Sequence, residues 1–206
     1  MAKIKLTKGE LKRQRDALRR YERYLPTLQL KKQQLQLEIQ HQNSLLEAKR
    51  REIQNKKESA LAWAGLLTDP GVDLKVFLKP SAVVAQEKNI AGVGIPVYER
   101  TEFAEAEYDF FLAPLWVDAA IEKLRALVGL QEEMRVIQRG VAILRQELRV
   151  ATQRVNLFEK VKIPEAEEAI RLIKIYIGDQ MTNAVGRSKI AKHKIEQLFV
   201  LQGAAA

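Results

Sequence analysis

The sequence contains no cysteine. A chain without thiols has no disulfide framework, no thiolate nucleophile and no Cys-ligated zinc or iron–sulfur site. Aromatic residues are also scarce, at 6% of the 206 residues, whereas charged residues make up 30%. This composition favours long exposed helices over a large compact core.

The sequence also lacks the patterns of a membrane-spanning helix, a metal site and a phosphate-binding loop. No run approaches the roughly 20 apolar residues that a spanning helix needs, so we expect no direct membrane insertion. His41 and His193 are the only histidines, and they lie too far apart in sequence to suggest a metal pair. The run GVGIP lacks the lysine and the hydroxyl of a phosphate-binding loop. We therefore predict no catalytic residue, no cofactor and no metal site.

Aliphatic residues recur at heptad spacing near both ends of the chain. Such a stripe is typical of a coiled-coil helix that buries it against a partner. The N-terminal seam is Leu11, Leu18, Leu25, Ile39, Leu46 and Ile53, and the C-terminal seam is Leu127, Met134, Val141, Leu148, Val155, Ile170 and Ile177. Pro26 interrupts the first seam without shifting its phase, so we predict a kink or a local break near Tyr24 and Leu25.

The segment between the two seams has a different composition and holds four of the six prolines. Ala82–Gln86 and Asn89–Glu99 are rich in β-branched residues around Gly92 and Gly94, which predicts a short β-hairpin. Two strands alone are marginally stable, so we expect the hairpin to lean on the base of the helices or on another protein.

These patterns predict a mainly α fold, a long intramolecular antiparallel coiled coil of N- and C-terminal helices with a small central insertion. The predicted ranges are 1–67 for the first helix, 68–114 for the insertion, 115–202 for the second helix and 203–206 for a disordered tail. Pro164 lies near the first turn of a predicted helix restart after Val161. A parallel homodimer would use the same stripes, but fold-back of two seams joined by an insertion is the simpler arrangement.

Three motifs in chain order resemble the D subunit of V/A-type rotary ATPases. The run from Arg154 to Gln180 resembles the family signature, NIAGVGIP resembles its central element, and LTKGEL with LQLKKQQL resembles its first helix. The signature positions that match are Arg154, Asn156, Glu159, Ile163 and Pro164.

The resemblance implies a non-catalytic central stalk subunit that couples ATP hydrolysis or synthesis to ion transport. It implies as partners the catalytic A and B subunits of a hexamer, the F subunit and a connecting subunit to the membrane ring. It also implies a cytoplasmic location, peripheral to the membrane. The candidate hexamer-facing residues are Arg13, Arg15, Arg19, Arg20, Lys189 and Lys192.

The residues also leave other classes of protein open. The net charge of +9 would suit an acidic protein wall, an anionic lipid surface or nucleic acid. A free-standing coiled-coil adaptor or chaperone-like protein would have the same fold, and a basic coiled coil could bind nucleic acid. We favour the stalk and expect no nucleic acid as partner. The coupling ion and the direction of coupling stay open.

Overall fold

A computed structural model describes residues 5–63, 65, 74–106, 108 and 114–203, with side chains described as far as residue 197. The elements are α1 (Lys8–Leu61), α2 (Lys75–Leu78), β1 (Pro80–Ile90), β2 (Val93–Phe103), α3 (Trp116–Leu157), a π-helical turn (Phe158–Lys162) and α4 (Ile163–Gly203). The predicted mainly helical fold, with long helices at both ends and a central antiparallel hairpin, is confirmed.

The chain divides into two units, which are described in turn. Leu30–Thr152 forms the hairpin unit, and Met1–Gln29 together with Gln153–Ala206 forms the terminal unit. Of the predicted insertion, residues 68–73, 107 and 109–113 lie outside the described part. The helix α4 includes Gly203, the first residue of the predicted tail. Residues 204–206, the rest of that tail, also lie outside the described part.

In the hairpin unit α1 and α3 run antiparallel. Lys49 Nζ lies 3.0 Å from Glu133 Oε2. Earlier on α1, Leu35 shares a buried cluster with Leu144 and Ala151, which lie later on α3. Because moving back along α1 means moving forward along α3, the two helices have opposite directions, and the predicted fold-back is present in this unit.

The hairpin turns at Ala91 and Gly92. Both have positive φ, at 52° and 77°, as the favoured two-residue hairpin turn requires. The Asn89 Oδ1 atom accepts a hydrogen bond from the Gly92 backbone N–H at 2.9 Å. Asn89 and Ile90 therefore end β1 instead of opening the second strand as predicted, because the turn lies at Gly92, which takes a positive φ freely, and at the residue before it.

The hairpin leans on the two helices. Val93 and Ile95 are 6% and 2% exposed and belong to the same buried cluster as Leu35 and Leu144. The backbone of α3 comes close to the hairpin at Gly140, where an added Cβ would lie 3.8 Å from Ile95 Cβ. Of the two supports predicted for the hairpin, the structure shows the helices.

The close approach at Gly140 gives a testable prediction. An added Cβ would also lie 3.7 Å from Pro96 O, an ordinary contact. Gly140→Ala should therefore keep the hairpin in place and raise stability by up to ~1 kcal/mol, because alanine favours a helix. Gly140→Leu needs space that the hairpin occupies and should cost about 1–3 kcal/mol in urea unfolding.

Gly178 is the matched control, since an added Cβ there meets nothing within 4 Å. Gly178→Leu should not destabilise the protein. Equal stability of Gly140→Leu and Gly140→Ala would contradict the described seat of the hairpin.

A second cluster lies at the other end of the hairpin unit. Leu74, Val117, Ala120 and Ile121 are its buried residues, and the half-buried hydrophobic residues against them are Trp63, Phe77, Ala106, Tyr108, Trp116 and Leu124. The helix α1 ends at Leu61, short of the predicted end near Thr68, and the Trp63 N–H donates to Ala60 O at 3.2 Å. Trp63, just beyond the end of the helix, packs against this cluster.

An arginine ties this cluster to the strands. Arg125 Nε donates to Phe77 O at 3.0 Å, and Arg125 Nη2 donates to Ala104 O at 2.6 Å. Its guanidinium also lies 5.2 Å from the centre of the Phe103 ring. Arg125 therefore connects α3 to the segments on both sides of the hairpin.

In the terminal unit α1 continues through Pro26 without interruption. Of the predicted kink or local break, the break is therefore wrong, and the kink stays a prediction. Pro26 has no backbone N–H to donate within the helix. Beside it, the Thr27 Oγ1 hydroxyl donates a hydrogen bond to Tyr24 O at 2.8 Å. Leu25 and Leu28 are half-buried on either side of Pro26. Tertiary packing of this face offsets the cost of proline in a helix, about 3 kcal/mol.

The predicted helix restart near Pro164 corresponds to the start of α4 at Ile163, which a π-helical turn joins directly to α3. The Ile163 N–H donates to Phe158 O, five residues back. Proline at 164 has no N–H, and in an α-helix its ring would crowd the carbonyl of Lys160. The wider turn accommodates this proline, and the buried stripe resumes at Ala166, Ile170 and Ile173.

Candidate interaction surfaces

The predicted seam residues all lie at buried or half-buried positions. Those that are buried are Ile39, Leu46, Ile53, Val141, Val155 and Ile170, and those that are half-buried are Leu11, Leu18, Leu25, Leu127, Met134, Leu148 and Ile177. Burial is what a seam requires. The assignment of these residues to one functional seam stays a prediction.

The predicted contact arginines are exposed on α1 in the terminal unit. Lys12, Arg13, Arg19 and Arg20 line a shallow groove together with Gly9 and Asp16, and Arg15 is exposed beside it. Arg13 is 82% exposed and lies 4.0 Å from Glu10. Exposed ion pairs of this kind hold the side chains weakly, so the arginines are available to an acidic partner.

The predicted contact lysines lie on α4. Lys189 and Lys192 are both exposed. Lys192 Nζ lies 3.8 Å from Glu196 Oε1, and its side chain is 79% exposed. Exposed aliphatic residues share this part of α4, with Val185 at 57% and Ile190 at 60%. The surface here is therefore both basic and apolar.

The signature residues surround the π-helical turn. Arg154 and Asn156 are exposed just before it, Glu159 is exposed within it, and Ile163 and Pro164 follow it. The Phe158 ring at the start of the turn lies 5.3 Å from the Tyr21 ring of α1. The sequence indicated the restart at Pro164 but gave no signal that a π-helical turn precedes it.

A charged cluster joins the helices of the hairpin unit. Lys49 Nζ lies 3.0 Å from Glu133 on α3 and 3.3 Å from Glu52 on α1. The hydrogen bond to Glu133 is the main cause that raises the pKa of Lys49, and the partial burial of the amine opposes it. This cluster was not predicted, because the partner of Lys49 is distant in sequence.

The raised pKa of Lys49 makes its contribution to stability depend on pH. Lys49→Met should lower the free energy of unfolding by about 1 kcal/mol at neutral pH, the upper end for partly exposed pairs. A raised folded pKa gives stability that is complete below the ordinary value of 10.5 and is lost as pH rises through the folded value. Urea unfolding should show wild type and variant converging as pH rises beyond 10.5 and through the raised pKa of Lys49.

Lys56→Met is the control for this prediction. Lys56 pairs at 3.7 Å with Glu52 on its own helix, and among the described residues it joins no second helix through an ion pair. Its replacement should change stability less at neutral pH. A Lys49→Met effect that persists unchanged at high pH would contradict an ionic origin.

Sequence analysis also missed one buried carboxylate. Glu132 on α3 is 8% exposed and accepts a hydrogen bond from Arg135 on the next turn. Burial of a carboxylate is costly unless it is paired, and Arg135 provides the partner.

In the described part of the chain, none of the helices has the length and hydropathy that crossing a bilayer requires.

The fold and these surfaces define a coiled-coil protein with exposed charged faces, and comparison with known proteins gives the family. The family of ATP synthase D subunits matches residues 10–193. The D subunit of the V-type ATP synthase of Borreliella burgdorferi is 43% identical over 195 residues, covering 95% of this chain and 96% of that protein. Proteins of the same name from Chlamydia abortus and Chlamydia trachomatis are 36% and 32% identical, each over 95% of this chain. The chain belongs to the family of ATP synthase D subunits.

Proposed function

We propose that this chain is the central stalk subunit, or rotor shaft, of a V/A-type rotary ATPase or ATP synthase. It couples ATP hydrolysis or synthesis in a catalytic hexamer to ion transport across the membrane. The observation that carries the proposal is the family match over residues 10–193, which takes in both long helical segments and the hairpin.

The residue types suit a protein that transmits torque and does no chemistry. Aliphatic seams with buried residues such as Leu46, Val141 and Ile170 resist deformation, because closely packed interiors are stiff. Exposed charges such as Arg13 and Lys192 make weak, hydrated contacts that break as the shaft turns. In this proposal catalysis belongs to the A subunits, and the chain itself is non-catalytic.

Coupling follows from asymmetry. A single shaft inside a ring of alternating subunits presents a different surface to each catalytic interface, so each rotational position favours a different set of open and closed sites. A shaft with different affinities for these states shifts their populations. Reciprocity requires that nucleotide binding also shifts the position of the shaft.

The proposal assigns surfaces to partners. The basic residues Arg13, Arg15, Arg19, Arg20, Lys189 and Lys192 face the A and B subunits. The hairpin and the aromatic cluster around Trp63 and Trp116 face the F subunit and the connecting subunit. The protein is cytoplasmic and is held at the membrane by these other subunits.

Native mass spectrometry tests the proposal directly. The chain is mixed with the catalytic A and B subunits of the same organism, and the stoichiometry of the complex is measured. One copy bound to a hexamer supports the shaft. No binding, together with a stable homodimer, would overturn it in favour of a free-standing adaptor.

A further inference from the structure

We propose that the outer edge of strand β1 binds an extended segment of another polypeptide, which adds a third strand to the hairpin and carries a basic residue next to an acidic one. The part of β1 concerned is residues 85–90, termed the β1 edge. The inference rests on the proposed function, in which the hairpin faces other subunits, and it names the way in which one of them binds.

The two edges of the hairpin have different surroundings. The outer edge of β2 lies against α3, since an added Cβ at Gly140 would lie 3.7 Å from Pro96 O. Pro96 also has no backbone N–H with which to pair a further strand. On β1, by contrast, residues 85–89 are all exposed. A strand with one face on a core alternates between buried and exposed residues, so the described part of the chain leaves this stretch uncovered.

The register of the hairpin shows which backbone groups are free. A two-residue turn of this class closes with backbone hydrogen bonds between its flanking residues, here Ile90 and Val93. Hydrogen-bonded and non-hydrogen-bonded pairs alternate along an antiparallel ladder, so Glu87 and Asn89 belong to pairs of the second kind. Their N–H and C=O groups therefore point away from β2, and such groups are a template for another strand.

The ends of the β1 edge limit the length of this template. The register shifts between Val84 and Ala85, where the regular ladder is interrupted. At the other end the turn begins at Ala91, which has a positive φ. The regular edge between them is about six residues, or about 20 Å, long. It therefore matches a short extended segment.

Two charges of opposite sign lie side by side on the β1 edge. Glu87 and Lys88 are exposed, and in the described part of the chain neither makes an ion pair. The flanking amides do have partners, since Gln86 Nε2 donates to Glu99 Oε2 at 3.1 Å and Asn89 Oδ1 accepts from the turn. Directly opposite residues of paired strands share a face and interact. A partner strand is therefore stabilised by a basic residue opposite Glu87 and an acidic residue opposite Lys88.

The same charges disfavour a second copy of this chain as the occupant. Two β1 edges can pair antiparallel through about five residues in only two symmetric registers, centred on Glu87 or on Lys88. Each register places a charge directly opposite its own copy, which is destabilising. The occupant is therefore a segment of a different polypeptide, bound by strand addition.

The test measures hydrogen exchange of single backbone amides in the free chain and in the complex purified with its own partners. The Glu87 and Asn89 amides should exchange at least about tenfold more slowly in the complex, because hydrogen bonds to the partner strand protect them. The Lys88 amide belongs to a hydrogen-bonded pair of the hairpin and reports whether the hairpin is folded.

Variants at one position separate the backbone contact from the charge contact. Glu87→Pro removes an outward N–H and should reduce the protection of Asn89 about tenfold, whereas Glu87→Gln keeps the N–H and should reduce it less. Glu87→Lys should also weaken the protection about tenfold, by placing like charges opposite each other. Glu58→Lys changes an exposed carboxylate on α1 in the same way and should leave the protection unchanged.

Each other outcome overturns the inference. Unchanged exchange at Glu87 and Asn89 in a complex that contains the chain would refute strand addition and leave the proposed function standing. Failure of the chain to enter any complex would refute both. Protection that appears in the free chain and rises with its concentration would assign the β1 edge to self-association. Equal protection in Glu87→Lys and wild type would remove the stated chemistry of the partner.

Discussion

Replacing Leu144 by alanine is expected to lower the free energy of unfolding by about 2–5 kcal/mol. Leu144 is fully buried, at 0% exposed, in the cluster where α1, α3 and the hairpin meet. Deleting its side chain removes contacts with all three elements and leaves a cavity that the helices cannot close without moving. Urea unfolding followed by circular dichroism measures the loss.

The neighbouring Ile143 is the matched control for this prediction. It is 38% exposed and has nearly the same volume as Leu144. Ile143→Ala should cost less than about 1 kcal/mol, because an exposed side chain leaves no cavity. Equal losses from the two variants would contradict the position of Leu144 in the core.

Replacing Arg13, Arg15, Arg19 and Arg20 together by glutamine is expected to impair assembly or coupling strongly while the protein stays folded. These side chains are exposed, so their charges contribute little to folding. If they face an acidic wall of a catalytic hexamer, losing four charges weakens that attraction at every rotational position. The measurements are the fraction of hexamer that binds the variant and the ion transport per ATP hydrolysed.

A control variant removes the same number of positive charges elsewhere. Glutamine at Arg51, Lys57, Lys88 and Arg139 changes exposed residues of the hairpin unit and leaves the terminal unit untouched. This variant should bind the hexamer like wild type. Normal assembly and coupling of the α1 variant would reject the hexamer-facing role of these arginines, and the circular dichroism spectrum would show whether both variants are folded.

The hairpin shows how far local sequence carries a prediction. β-Branched residues at Val83, Val84 and Val93 predicted two strands, because strand preference is visible over a few residues. The turn lies later in the chain than predicted, at Ala91 and Gly92. Its position depends on which residues take a positive φ, and nothing in the sequence indicated that Ala91 would be one of them. The seat of the hairpin on Gly140 depends on a contact across more than forty positions of sequence.

The candidate surfaces divide in the same way. The exposed basic residues of α1 were visible in the sequence, because a helical period and a run of arginines suffice to predict a charged face. The cluster that joins α1, α3 and the hairpin was not visible, since it exists only where these three elements pack together. The Lys49–Glu133 pair required the same knowledge of the register between the helices.

The sequence by itself determined the helical class of this protein, the two aliphatic stripes, the hairpin between them and the family to which it belongs. These properties follow from periodicity and from motifs, which are local or additive along the chain. Only the tertiary structure decided that α1 ends at Leu61, that Pro26 and Pro164 interrupt neither long helical segment, and which side of the helix pair the hairpin covers. Each of these outcomes is set by packing between residues far apart in sequence, and packing energy there outweighs the local preferences of proline and of the heptad pattern.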